Sequence, residues 1–459
     1  MSKQMPPRAH VGAILTLGLP LIGGHLGQIL IGVTDTVMLG WYAVEALAAV
    51  TLGSTYFFVI FITGSGFAFA VMPLVATFAA EKDDLSIRRA TRMGLWLSLG
   101  YAVLAMPLMV FSEPILRLLG QTEDVARNGA AYLQVAGWGM FPAIIVMVLK
   151  NYLAALERTQ VVLWITVAAA VLNALVNYAL IFGNWGAPEM GVVGAAIASV
   201  VTQAASMVGL VVYILLVVPQ HQLFVRFWRA DWQMLGRVSR LGWPIGLTVL
   251  SETGLFAASA MMMGWLGTIP LAAHGIVVQL AAITFMVHLG LSNVATIRAG
   301  NALGRHDRGH MARGAWVVTV MSVLFAAVTI TVFVTLPEPL IQLFMQKDEP
   351  ARVEILLIGA GLLGMAALFQ LVDGAQAIAL GLLRGVQDTA VPMWMAAFSY
   401  WVVGVPASYV FGFVLGLEGI GVWGGLVVGL GLAAILLNLR FWRVVLPGVG
   451  VSETAPGSA

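Results

Sequence analysis

A chain of 459 residues that is 60% hydrophobic and only 10% charged is not an ordinary soluble globule, which is typically about 45–50% apolar and about 25% charged. It reads as an integral membrane protein. The absence of cysteine excludes disulfides, thiolate metal sites and thiol chemistry. The net charge of +2 is unremarkable, and no nucleic-acid partner is expected. The opening stretch, MSKQMPPRAH, is basic and polar and leads into an apolar run of roughly 30 residues. That run is longer than the core of a signal peptide, so it reads as a retained first span. Twelve apolar segments are expected in chain order, at approximately 11–40, 45–78, 91–111, 128–155, 161–182, 191–218, 235–265, 271–303, 312–335, 353–383, 392–415 and 420–443. Each reaches the roughly 20 helical residues that cross about 30 Å of hydrocarbon. None shows the ten-residue alternation of a membrane barrel. In lipid the backbone must satisfy its own hydrogen bonds, so the fold class is all-α.

Lys and Arg set the orientation. With an even number of spans both termini share a side, and that side collects 19 of the 23 Lys and Arg, from Lys3 to Arg443. Only Arg117, Arg127, Lys347 and Arg352 fall on the other. The expectation is a multi-pass protein of the inner (plasma) membrane with both termini cytoplasmic.

The chain also repeats itself. LGLP at 17–20 returns as LGWP at 241–244, MLGW at 38–41 as MMGW at 262–265, and LAAV at 47–50 as LAAH at 271–274. EPILRLLGQ at 113–121 pairs with EPLIQLFMQ at 338–346, and MGVVG at 190–194 with IGVWG at 420–424. Two six-helix lobes are expected, residues 1–225 and 226–459, related by an axis along the membrane normal. Parallel repeats of this kind are a transporter signature, with the site near the midplane. The connector HQLFVRFWRADWQMLGRVSR (221–240) alternates basic and aromatic residues and reads as an interfacial tether. Pro20 and Pro244 occupy equivalent places in spans one and seven. Each removes a helix hydrogen bond, which suits either a hinge or a packing kink.

Of 21 acidic residues, only Asp35, Glu252 and Asp373 lie well inside segments, and no Arg or Lys lies comparably deep. An acid at a span centre costs about 2.5–3.5 kcal/mol on insertion scales, so each is a functional candidate facing a polar interior. Asn173 and Asn177 sit four apart on one face of the fifth span and can complete a polar cage around Asp35. Gln370 and Gln376 flank Asp373 at three residues to either side, on roughly one face. Three deep acids with no basic partner would together attract cations. His25 and His288 read as the only histidines well within spans, each packed and neutral. Most of the 22 Met and 14 Trp are expected to face lipid or neighbouring helices, and none is assigned to a site.

Several classes are excluded. None of the four lysines follows a glycine, so no phosphate-binding loop of a membrane ATPase is present, and no H-E-x-x-H motif exists. No enzymatic activity and no cofactor are expected beyond a coupling ion, Na⁺ or H⁺. Parallel repeats favour alternating access over a channel.

The chain resembles the multidrug and toxic compound extrusion (MATE) transporters, in particular their NorM-like branch. The matching stretches are LGLPLIGGHLGQILIGVTDTVMLG in span one and LSETGLF in span seven. Span eight matches in LAAHGIVVQLAAITFMVHLGLSNVATIRAGNALG, and span ten in FQLVDGAQAIALGLLRGVQDTAVPM. The resemblance covers nearly the whole chain. It implies two six-helix lobes around a cleft and export of cationic, amphipathic drugs, by a monomer, against inward flow of Na⁺ or H⁺. Asp35, Asn173 and Asn177 fall on the family's amino-lobe cation site. Glu252 and Asp373 fall on the acids that mark the NorM-like branch, and Na⁺ is an expected ligand at Glu252, Asp373 or Asp35. Three departures stand out: His25 replaces an uncharged residue, Ala76-Thr77 an Ala-Gln pair, and Phe369 a Tyr whose hydroxyl is lost. A flippase for a lipid-linked precursor shares a related fold and is the alternative. Its anionic cargo would want deep Arg or Lys, whereas here the deep charge is acidic.

Overall fold

The computed structural model describes residues 6–345 and 350–450, and all its regular structure is helical. Lys3 and Lys347, both counted in the charge balance, lie outside the described residues. Twelve helices are long and apolar enough to cross a membrane, as the hydropathy pattern predicts. They are α1 (Pro7–Tyr42), α2 (Val44–Glu81), α3 (Asp84–Val110), α4 (Glu123–Ala155), α5 (Thr159–Phe182) and α6 (Gly191–Val217). The second set is α7 (Trp232–Leu266), α8 (Thr268–Gly304), α9 (Arg308–Thr335), α10 (Arg352–Gly385), α11 (Ala390–Val414) and α12 (Glu418–Gly448). A short helix precedes the fourth member of each set, Ser112–Leu118 and Pro337–Gln342. These are the two copies of the EP-containing repeat.

The turns repeat as faithfully as the helices. At the end of α2, Lys82 adopts φ +59°, its N–H donates to Ala79 O, and Asp83 N–H donates to Phe78 O. At the end of α8, His306 adopts φ +53°, donates to Leu303 O, and Asp307 N–H donates to Ala302 O. Both are left-handed helix terminations that satisfy otherwise orphaned carbonyls. In each the next residue is an aspartate that caps the following helix, Asp83 accepting from Ser86 N–H and Asp307 from His310 N–H. The left-handed conformation costs a non-glycine residue about 1–2 kcal/mol. That two equivalent turns both bear it with polar residues marks them as one inherited device.

The chain divides into two compact units, Leu19–Leu247 and Met1–Gly18 with Thr248–Ala459. The divisions fall inside α1, two residues before Pro20, and inside α7, three residues after Pro244. In the unit of Thr248–Ala459, α8 and α10 approach closely through glycines. A Cβ at Gly385 would lie 2.6 Å from Ala299 Cβ and 2.7 Å from Thr296 O, and one at Gly374 2.6 Å from the His288 ring. The close approach lets Ser292 Oγ donate to Ala377 O at 2.6 Å and Thr296 Oγ1 to Gly381 O at 2.9 Å. Small residues bring membrane helices together in this way, because dispersion rather than water expulsion drives their association. In the unit of Leu19–Leu247, Asn151 Nδ2 of α4 donates to Ala68 O of α2 at 3.1 Å.

The helix α11 is irregular: α-helical over Ala390–Ala397 and Val405–Tyr409, π-helical over Phe398–Gly404 and Val410–Val414. Pro406 has no N–H to donate into the ladder, and the wider turns reorganise the bonds around it.

Candidate functional site

Two buried acidic clusters emerge, one in each unit. The first is built on α1, α5 and α6. Asn177 Nδ2 donates to Asp35 Oδ1 at 2.5 Å and to Asn173 Oδ1 at 3.1 Å, and both asparagines are fully buried. The four-residue spacing on α5 brings both asparagines beside one carboxylate, Asn177 bonded to Asp35 and Asn173 bonded to Asn177. Ser199 of α6 addresses the same carboxylate, and the buried Tyr132 of α4 lies within its electrostatic reach. Neither was legible in the sequence, where a serine or tyrosine in an apolar helix carries no periodic signal. Among the described residues, Asn177 Oδ1 is buried and finds no partner. The cage thus offers carboxylate, amide and hydroxyl oxygens around one point. Such oxygens suit a hard monovalent cation, or the carboxylate can take a proton.

The second cluster is built on α7, α10 and α11. Asp373 is 3% exposed, Gln376 1% and Gln370 not at all. Gln376 Nε2 donates to Glu252 Oε1 at 3.2 Å, and the Glu252 and Asp373 charges act on one another. Gln370 turns away and donates to Ala281 O of α8 at 3.4 Å. The two glutamines flanking Asp373 therefore serve different ends, one joining the acid pair and the other tying α10 to α8. Among the described residues, Asp373 Oδ1, Gln370 Oε1 and Gln376 Oε1 are buried without a hydrogen-bond partner. A buried acceptor without a donor is costly, and a bound cation or proton would satisfy Asp373 Oδ1. Tyr400, wholly buried on the π-helical stretch of α11, lies in electrostatic reach of both acids. Phe369 is packed edge-on between Phe256 (5.8 Å) and Trp423 (5.6 Å), so it serves the aromatic core beneath the acids.

Two expectations are corrected. Arg384, in the last turn of α10, acts electrostatically on Glu252, so this acid pair is not without a basic neighbour. In the other unit Lys150 lies inside α4, donates to Thr166 Oγ1 at 2.9 Å and acts on His25. Both cations were placed at the boundary by their backbone positions, but long flexible side chains carry charge well away from the Cα. The histidine census also grows by one: His274 is buried in α8 and accepts a hydrogen bond from Trp423 Nε1 at 3.1 Å. His288 is packed as expected, with Nδ1 2.8 Å from Ser322 Oγ and its ring edge-on to Phe325.

The MatE family model matches residues 20–179 and 244–410. A probable multidrug resistance protein NorM of Rhizobium meliloti (strain 1021) is 45% identical over 438 residues, covering 95% of this chain and 94% of that protein. A protein of the same name from Agrobacterium fabrum is 42% identical over 95% of this chain and 94% of its own length. Among solved structures, the eukaryotic MATE transporter AtDTX14 superposes with a TM-score of 0.83 at 17% identity, covering 96% of this chain and 97% of its own. A MOP superfamily transporter from Pyrococcus furiosus superposes with a TM-score of 0.84 at 19% identity, over 95% of each chain. The structural neighbours share the fold. The family match and the NorM relatives show that this chain belongs to the multidrug and toxic compound extrusion family, in its NorM-like branch.

Proposed function

We propose that the protein is an antiporter of the inner membrane that exports cationic, amphipathic drugs in exchange for inward Na⁺ or H⁺, with both termini cytoplasmic. The observation that carries this reading is the Glu252–Asp373 pair: two buried acids acting on one another, with an unpartnered carboxylate oxygen on Asp373. Such a pair takes up positive charge readily, and an organic cation and a coupling ion would compete for it. The Asp35 cage, with Asn173 and Asn177, is the second ion site in this scheme. Pro20 and Pro244 lie beside the places where α1 and α7 pass from one compact unit to the other, which supports a hinge role for both in alternating access. The acidic character of both clusters also argues against an anionic, lipid-linked cargo.

The test is efflux of a fluorescent organic cation from proteoliposomes, with the Na⁺ and pH gradients imposed separately. Export should follow one gradient and collapse with it. Export that ignores both gradients would remove coupling from the scheme.

A further inference from the structure

The connector between the sixth and seventh helices reads in sequence as a tether, but the structure gives it a second task. It folds over the start of α3. Arg92 donates through Nη1 to Val225 O at 3.0 Å and to Arg226 O at 2.6 Å, and Trp96 Nε1 donates to Phe227 O at 3.0 Å. Between α3 and the connector lies a cavity of about 710 Å³, lined by Arg88, Arg89, Arg92, Arg226 and Arg229 with Asp231 as the sole acid. Its volume falls in the range of small-ligand sites, about 300–1,000 Å³. Asp231 is paired with Arg89 and also acts on Arg92, so a single carboxylate faces five guanidinium groups in the cavity. Arg92 is only 8% exposed, and among the described residues its Nε and that of Arg88 are buried without a partner. The buried Arg92 is flanked by the half-buried Arg88 and Arg89 and the exposed Arg226 and Arg229, and like charges gathered this closely are unfavourable unless an anion joins them.

We propose that this cavity binds the phosphate-bearing headgroup of an anionic phospholipid. Guanidinium groups match phosphate oxygens in charge and fork geometry. The choice of a lipid over a soluble phosphate rests on what surrounds the charges. Leu85, Val225 and Trp232 line the same cavity and are exposed, Trp232 by 76%, and Trp228 of the connector is exposed by 77%. Tryptophans at the end of a membrane helix bundle sit at headgroup level. At about 1.5 Å per residue, the 35-residue α7 that begins at Trp232 spans about 52 Å, far more than the hydrocarbon core. With exposed Trp228 and Trp232 at its start, that start suits the headgroup layer. A basic cavity with an exposed apolar and aromatic rim at that height fits a headgroup above and acyl chains beside it. The inference is independent of what the acidic clusters transport.

The experiment is native mass spectrometry of the full-length protein released from phosphatidylcholine nanodiscs, titrated with phosphatidylglycerol, further phosphatidylcholine, or glycerol 3-phosphate. The wild type should retain phosphatidylglycerol at least about tenfold more tightly than phosphatidylcholine, since each basic side chain near the surface contributes about a factor of five. In the Arg88→Gln/Arg229→Gln double variant, which keeps the Arg92 bonds to the connector, that preference should fall by up to about twenty-five-fold, two such factors, while the melting temperature in phosphatidylcholine stays unchanged. No preference in the wild type, or a preference that survives in the folded double variant, overturns the proposal. Equal affinity for glycerol 3-phosphate overturns the lipid as occupant and makes the site one for a soluble phosphate. The wild-type comparison decides the question even where the double variant fails to fold.

Discussion

At Asp35 the surroundings are amides and hydroxyls, so the site can tolerate a neutral side chain. In Asp35→Asn the Asn177 amide still finds an oxygen to bond, and the loss is the difference between a charged and a neutral hydrogen bond, about 1 kcal/mol. The variant should therefore fold, with a melting temperature within a few degrees of wild type, yet fail to export. Efflux from proteoliposomes at wild-type rate would show that the Asp35 charge has no part in coupling. The three deep acids and the Asn173–Asn177 pair were legible in the sequence because a polar residue in an apolar helix is conspicuous. Ser199, Tyr132 and Tyr400 were not. Hydroxyl-bearing residues are common in membrane helices, and only the packing of separate helices shows which of them face a carboxylate. Arg384 and Lys150 were misplaced for a related reason: depth along the chain locates a Cα, whereas the charge sits at the end of a long side chain.

Among the elements, the α8–α10 pair shows which force dominates. A cross-helix hydrogen bond in a membrane protein contributes about 0.6 kcal/mol on average, so replacing the Thr296 donor in Thr296→Val should cost little. Gly385→Leu must place a side chain where Ala299 Cβ and Thr296 O already stand, and overpacking of this kind costs about 1–3 kcal/mol. Thermal melting should accordingly show a larger loss for Gly385→Leu than for Thr296→Val. The reverse order would mean that hydrogen bonding, not backbone approach, holds these helices. A second element-scale prediction concerns the connector. Asp231 lies outside the membrane helices, and the hydrogen bond from Arg89 holds its carboxyl below the usual range, with Met234 N–H donating as well. A depressed folded-state value means that the unfolded chain binds more protons as the pH falls, so this contribution is present above about pH 4 and lost below it. Wild type should melt above Asp231→Asn at pH 7, and the gap should close as the pH is lowered through the folded-state value. A gap that is constant from pH 7 to acid would show that the pairing contributes no charge-dependent stability. The twelve helices were legible because bilayer thickness imposes a length and a composition. The π-helical turns of α11 were not, since Pro406 announces a disturbance without saying how the ladder repairs it.

Across the whole molecule, the two halves keep one scaffold and diverge in chemistry. The paired turns at Lys82–Asp83 and His306–Asp307 share their backbone, and a short helix precedes α4 and α10 alike. Yet the place equivalent to Asp35 is Ser259, which is buried and bonded to its own helix at Phe256 O. The acids of the second half instead come from α7 and α10. In the proposed scheme, exchange at the Glu252–Asp373 pair would supply the work of export. An inward unit charge gains about 2.3 kcal/mol per 100 mV of membrane potential. By the rule that 1.4 kcal/mol is tenfold, that supports roughly a fortyfold gradient of a neutral partner. On that proposal the two carboxylates repel one another, and an arriving ion would relieve that repulsion and weaken the hold on a cationic drug. Arg384 offsets part of the Glu252 charge, so Asp373, with its unpartnered oxygen, is the more responsive member. Asp373→Asn and Glu252→Gln should each reduce gradient-driven export at least about tenfold, as the loss of one charged hydrogen-bonding partner of about 1.5–3 kcal/mol implies. The two variants should differ in binding. In Asp373→Asn, drug affinity measured by equilibrium titration should lose most of its dependence on Na⁺ or pH, because the group that switches is gone. In Glu252→Gln part of that dependence should remain with Asp373. If Asp373→Asn keeps both ion-sensitive drug binding and full efflux, then Asp373 only ties α10 into its bundle, and the coupling ion must act elsewhere.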